Sequence, residues 1–364
     1  MRPTRSGSEC FGALALALAV VLCGSASAAE AAPPAAPAHS RQPTRPMQWL
    51  RRMNHALTVL DYEGTFAHSQ DGKVEMLRII HRVKDGVVSE RLQSLDGSGR
   101  EFIRRGSKLT CYLPDKHVVL VEHMLPKSLL LGGIPVINAQ TARFYDIRQG
   151  ARMRIDQHET RLITVMPKDQ YRYGYRLWID RSGLPLKIQL WDTRNKRGGH
   201  VIEQIAFATL KVRSHIPGSA FKPGISTAGY RWLRTDAPAP QSGKGKMPAW
   251  HARWLPPGFH MAMSASQVMP GSPGPVDHLV YTDGLASVSV FVEKHAEPPP
   301  RRPVVESARM GASYVFSTFV DGHRVTAVGE VPALTVRSIA DSVRAEKTSL
   351  PRLPAGPFAH SPQP

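Results

Sequence analysis

Cysteine is nearly absent from this chain: there are three in 364 residues, and two of them, Cys10 and Cys23, fall within the first 28. That leaves Cys111 alone and excludes a disulfide framework; its flanks, LTCYL, alternate as a strand does, which marks a buried thiol. Acidic residues are also scarce, 29 against 47 basic ones, for a formal charge of +18. The imbalance is regional, 28 basic to 17 acidic over residues 47–213 but 10 to 9 over 250–364, so the first region is the one that would meet an anionic ligand. After the first 28 residues no apolar run approaches the ~20 residues that span a bilayer. The sequences HExxH, GxSxG, GxGxxG and GxxxxGK[ST] are all missing, which removes the usual carriers of metalloprotease, hydrolase and nucleotide chemistry. One SxxK, Ser219 to Lys222, stands in a Pro- and Gly-rich stretch without SDN or KTG beside it. His117 and His123 share a strand face that offers no further ligand, and His260, Met261 and Met263 read as a strand rather than a soft-metal site. The expectation is a chain that is not an enzyme, with no cofactor and no metal. Despite the basic charge there is no basic helix or zinc module, so nucleic acid is not an expected partner.

What is present divides the chain. Residues 1–28 have a basic start, an apolar run and small residues at Ala26 and Ala28, the pattern of a signal peptide cleaved near Ala28; Leu22 before Cys23 disfavours lipid attachment. Residues 29–46 are rich in Ala and Pro and predict a disordered arm. Leu50, Met53, Leu57 and Leu60 then recur at helical spacing. From Tyr62 the period becomes two, broken by turn signals such as QDG (70–72) and KDG (84–86), and an antiparallel meander is expected through residue 213, interrupted by a helix or loop at 125–145. About ten strands with a helix or two make a strongly curved sheet or open barrel. Residues 214–249 read as a linker, and 250–346 as a smaller α+β domain whose helix places Leu334, Ile339 and Val343 on one face. Residues 347–364 predict a disordered tail.

The most informative segment is YRYGYRLWIDRSGLPLKIQLWD (171–192), a hairpin with two unlike faces. Tyr171, Tyr173, Tyr175, Leu177 and Ile179 share one face with Leu184, Leu186, Ile188 and Leu190 if Ile179 pairs with Leu184. The other face carries Arg172, Arg176, Trp178, Lys187, Gln189 and Trp191, and in that register Arg176 opposes Lys187. An apolar face backed by a basic one suits an amphiphile with an anionic head.

The chain resembles the RseB/MucB family of periplasmic regulators of the envelope-stress sigma factor. The resemblance rests on YEGTF (62–66), HRV (81–83), ERLQSLDG (90–97), RFYDIR (143–148), PKDQYRYGYRLWIDRSGLPLK (167–187), WLPPGF (254–259), VYTDGLASVSVFVE (280–293) and VTAVGEVP (325–332), which follow the family's order across residues 47–343. It implies a mostly β, two-domain protein: a LolA/LppX-like unclosed antiparallel β-barrel with inner helices, then a smaller α+β C-terminal domain that binds the anti-sigma factor. It also implies partners, namely the periplasmic domain of the membrane-bound anti-sigma factor RseA or MucA, and lipopolysaccharide or its lipid A portion. In the family the regulator shields the anti-sigma factor from its first proteolytic cleavage and is released by lipid. The long Ala/Pro arm and EPPPRRP (297–303) depart from the pattern. The family supplies no compact ligand motif, so the expected lipid contacts come from strand parity: Tyr62, Phe66, Tyr171, Tyr173, Tyr175, Leu177 and Ile188 along an acyl-chain cavity, with Arg172 and Arg176 at its rim. Whether the protein forms a homo-oligomer stays open. The alternative is a lipid or lipoprotein carrier, for which a second domain has no evident use.

Overall fold

A computed structural model describes residues 45–123, 140–194, 199–234, 249–268, 272, 274–294 and 306–346; the expected signal peptide, most of the arm and the tail lie outside the described residues. Helix α1 (Arg45–Val59) starts two residues inside the expected arm, with Pro46 in its first turn, where a missing N–H is harmless. Its buried stripe is Leu50, Met53 and Ala56, with Leu57 and Leu60 half-buried beside it.

Eleven strands follow as an antiparallel run: β1 (Asp61–Gln70), β2 (Lys73–Lys84), β3 (Val87–Ser94), β4 (Glu101–Arg105), β5 (Lys108–Leu113), β6 (Val118–His123), β7 (Tyr145–Ile155), β8 (His158–Pro167), β9 (Gly174–Asp180), β10 (Pro185–Asp192) and β11 (His200–Arg213). With β12 (Arg231–Arg234) they form one sheet in the order β12-β6-β5-β4-β3-β2-β1-β11-β10-β9-β8-β7, whose two edge strands do not meet. The DG turns behave as their chemistry requires, with positive φ at both Asp71 and Gly72 and at both Asp85 and Gly86. One face of this sheet packs on α1, and Ile79, Ile163, Leu177, Leu184 and Leu186 form a continuous core with Leu50 and Met53. That face is called the inner face below. Gly183 lets the β9–β10 turn approach the helix, because a Cβ there would lie 2.8 Å from the Arg52 carbonyl oxygen.

Residues 214–234, expected as linker, instead strap the outer face. The Ile216 carbonyl accepts from Arg82 Nη1 (3.0 Å), the Gly224 N–H donates to Glu101 (3.1 Å), and Ile225 and Tyr230 pack on Tyr112, Val119 and Val121 before β12 pairs in parallel with β6. Pro- and Gly-rich composition reflects the turns of this strap rather than freedom from the sheet. Residues 235–248 lie outside the described residues.

The second unit holds β13 (Trp250–Ala252), β14 (His260–Val268), β15 (Pro275–Thr282), β16 (Ser287–Lys294), β17 (Glu306–Met310), β18 (Ser313–Val320), β19 (His323–Gly329), α2 (Ala333–Ser342) and β20 (Val343–Ala345). Six of its strands make a sheet in the order β14-β15-β16-β19-β18-β17, and β13 pairs with β20. The buried face of α2 is Thr335, Val336, Ile339 and Ala340; Leu334 points outward and Val343 already belongs to β20. The expected stripe fails because Leu334, five residues before Ile339, lies off its face, and because the helix ends at Ser342, before Val343.

Candidate functional site

The hairpin β9–β10 has the expected faces but not the expected register. Ile179 pairs with Pro185, a bulge follows at Leu186, and Arg176 opposes Gln189 rather than Lys187. The like-charge pair therefore does not form. Each cation lies over a tryptophan instead, Arg176 over Trp191 at 3.6 Å and Lys187 over Trp178 at 5.0 Å, while Trp178 Nε1 donates to the sulfur of Met153 at 2.9 Å. This basic, Trp-bearing face is the outer one.

The nine expected lipid-contact residues separate into three places. Tyr62, Phe66, Leu177 and Ile188 lie on the inner face within the α1 core, where Phe66 tilts against Phe207 at 5.3 Å. Arg176 stands on the outer face, away from them. Tyr171, Arg172 and Tyr173 lie apart from both and build the junction with the second sheet. Tyr175 joins two of these places, packing both on the inner-face core and on the junction cluster of Tyr173, Leu190, Ile202 and Ala312. Burial raises the pKa of both Tyr173 and Tyr175, keeping the phenols neutral.

Arg172 is the centre of the junction and is 0 % exposed. Its Nε donates to Asp283 Oδ2 at 2.5 Å, its two terminal nitrogens donate to Asp169 and to the Pro257 carbonyl, and the rings of Phe144 (5.0 Å), Tyr145 (5.9 Å) and Phe259 (4.9 Å) surround the guanidinium. Asp283 lies in the TDG turn between β15 and β16; its Oδ1 accepts the Leu285 and Ala286 N–H groups, and its Oδ2 accepts from Arg172 and from the Tyr145 hydroxyl (3.2 Å). A buried charge pair is tolerated only when its remaining donors and acceptors are met, as they are here. The rim role expected for Arg172 is thus corrected: its side chain is buried, and each guanidinium nitrogen already donates within the junction. Further contacts close the junction. Thr335 Oγ1 donates to the Tyr171 carbonyl (2.8 Å), Tyr171 meets Trp254 edge-on at 5.2 Å, and Arg309 pairs with Asp71 at 2.9 Å across a groove of about 440 Å³.

Sequence reasoning missed a second feature, a polar row crossing the inner face. Tyr62, His81, Glu90 and Arg104 are cross-strand neighbours on β1 to β4, all buried. Tyr62 stacks on His81 (centroids 4.6 Å, planes 11° apart), His81 Nδ1 hydrogen-bonds the Leu60 carbonyl at 3.0 Å, and Arg104 Nε donates to Glu90 at 2.8 Å. Burial lowers the pKa of His81 and raises that of Tyr62. The adjacent row, Ile79, Leu92, Phe102 and Cys111, is apolar, and Cys111 is buried as expected. The signal for the polar row was the parity of HRV and ERL relative to Tyr62.

Comparison with known proteins accords with this architecture. Residues 45–225 match the model of the MucB/RseB N-terminal domain and residues 244–344 that of the MucB/RseB C-terminal domain. The chain is 33% identical over 313 residues to the sigma factor AlgU regulatory protein MucB of Pseudomonas aeruginosa, covering 82% of this chain and 90% of that one. Among solved structures it is similar to MucB in complex with MucA(peri), 30% identical with a TM-score of 0.62 over 82% of this chain and 98% of that one. It is also similar to a crystal structure of MucB, 29% identical with a TM-score of 0.53 over 82% of this chain and 97% of that one.

Proposed function

The chain belongs to the MucB/RseB family, and from that premise we propose that it is a periplasmic negative regulator of an envelope-stress sigma factor. It binds the periplasmic domain of a membrane-bound anti-sigma factor of the RseA/MucA type, shields it from the first proteolytic cut, and lets go when lipopolysaccharide or lipid A binds. Its role is regulatory rather than catalytic. The observation that carries this reading is the similarity, spanning both domains, to MucB in complex with MucA(peri). The first 28 residues support export to the periplasm.

In this reading Tyr62, Phe66, Tyr175, Leu177 and Ile188 receive acyl chains on the inner face, and the second domain carries much of the partner contact. Tyr175 supplies a physical route between them, since its ring belongs to both the inner-face core and the junction cluster. A lipid releases the partner only to the extent that it binds the released arrangement better than the bound one. The carrier reading leaves the junction without a purpose: a carrier needs the cavity, not a buried Arg172–Asp283 pair tying a second sheet to it.

The test is capture of the anti-sigma factor's periplasmic domain by the purified full chain, with and without lipopolysaccharide. Binding that lipopolysaccharide abolishes is expected. No binding in either condition sinks the regulatory reading, and binding that lipid never disturbs sinks only the sensing half.

A further inference from the structure

The large sheet ends in two edge strands, and they are finished differently. An edge presents unpaired N–H and C=O groups to any extended chain that comes alongside, and proteins blunt such edges with bulges and charge. Strand β7 is blunted in both ways: a bulge between Gln149 and Arg152 interrupts its pairing with β8, and Arg148, Arg152 and Arg154 lie along it. Strand β12 pairs with β6 without a bulge, and all four of its residues are exposed, Trp232 by 45% and Leu233 by 42%. The Arg231 N–H donates to the His117 carbonyl (2.9 Å) on the β6 side, so by the alternation of a strand Trp232 and Arg234 turn their N–H and C=O groups outward.

Side chains carry both faces of the sheet out to this edge. Trp232 stands beside Val119, on which the strap packs, and Leu233 beside Leu120 of the inner-face core. Neither Arg231 nor Arg234 has a carboxylate partner among the described residues. This pattern selects the occupant. A second copy pairing in register sets arginine against arginine twice, whether the strands run parallel or antiparallel, and like charges directly opposite are destabilising. A strand with acids at its first and fourth positions and apolar residues between them meets both guanidinium groups and both apolar side chains, again in either direction. We propose that β12 is a docking edge for an extended segment of a partner protein with the pattern acidic, apolar, apolar, acidic. Main-chain hydrogen bonds supply the affinity there, and the two arginines supply the choice. Such a site stands or falls independently of the regulatory reading.

The test is fluorescence anisotropy of labelled peptides with the full chain, the peptide cores reading Glu-Val-Val-Glu, Lys-Val-Val-Lys or Val-Glu-Glu-Val. The first is expected to bind about tenfold more tightly than the second, from two cross-strand charge pairs made attractive rather than repulsive. It is expected to exceed the third as well, which has the same charge but sets its acids opposite Trp232 and Leu233. Methylating the peptide nitrogens that face β12 is expected to abolish binding, and Arg231→Glu combined with Arg234→Glu, both exposed, to reverse the order of the first two peptides. Equal binding of Glu-Val-Val-Glu and Val-Glu-Glu-Val would reduce the effect to the net charge of a basic protein and overturn the site. Binding that survives methylation overturns strand addition, and an order that the double reversal leaves unchanged places the peptide elsewhere on the chain. A dimer in analytical ultracentrifugation that Trp232→Pro abolishes assigns the edge to a second copy instead, and no binding of any peptide removes the site altogether.

Discussion

The domain junction and the inner face of the large sheet both bury charged and polar side chains, yet they treat them in opposite ways. At the junction each guanidinium nitrogen of Arg172 has an acceptor, and both Asp283 oxygens are occupied. On the inner face Arg104 donates to Glu90, but the Tyr62 hydroxyl ends the row with no partner among the described residues. Completed polarity holds two units of one molecule together; the unmet hydroxyl adds no such tie. The contrast explains why Arg172, which sequence parity placed at a ligand rim, belongs to the framework.

The contrast can be broken most directly by removing one polar group from each place. Arg172→Ala leaves the Asp283 carboxylate buried without its cation and is expected to lower stability by about 4 kcal/mol in urea melts. Arg172→Met paired with Asp283→Asn, which removes both charges and retains an oxygen for the Leu285 and Ala286 N–H groups, is expected to recover most of that loss. Tyr62→Phe deletes a hydroxyl that has no partner among the described residues and is expected to change stability little in either direction. Losses of similar size from Arg172→Ala and Tyr62→Phe would erase the distinction between the two places.

A somewhat smaller effect is expected from acidification. His278 in the second sheet is stacked on Phe291 at 4.4 Å, and burial pushes its pKa down to about 4; burial also lowers that of His81 on the inner face. A histidine whose folded pKa lies below the unfolded value of about 6.5 contributes fully above that value and loses its contribution as pH falls. Acidification from neutral to pH 4 is therefore expected to cost roughly 3 kcal/mol through His278 alone, and His278→Phe is expected to flatten the curve over that window. An unchanged pH profile in His278→Phe would mean that the ring is not held neutral by its surroundings.

How much of this was legible beforehand depends on the range of the interaction. Strand parity is local, so it placed Tyr62, Phe66, Leu177 and Ile188 together on one face, and the DG pairs marked the turns correctly. Open-sheet architecture followed from the succession of turns and strands, and family membership from eight short segments. The hairpin register slipped because one extra residue at Leu186 shifts the pairing beyond it, and nothing in LPLK announces a bulge. Arg172 was misplaced because its partner, Asp283, is 111 residues away in a turn whose Asp already had a sufficient local reason to be there. The strap at 214–234 was hidden by composition, since a segment that lies on a sheet by carbonyl and N–H contacts needs no apolar periodicity.

The smallest expected effect decides which face of the sheet a ligand sees. Arg176 lies over Trp191 on the outer face, partly exposed, and such a stacked pair contributes about 0.5–1 kcal/mol. Arg176→Glu removes the stacking and reverses a charge without touching the inner-face core. If acyl chains enter between α1 and the inner face, this substitution leaves lipopolysaccharide affinity within about twofold, since at physiological salt a change on the far side of the sheet is screened over roughly a Debye length of 8 Å. A several-fold loss of affinity with unchanged stability would instead put the anionic head against the Trp178, Lys187, Trp191 and Arg176 face. The inner face would then be a packed core filled by α1, and the basic outer face would be the part of the first domain that reads lipid.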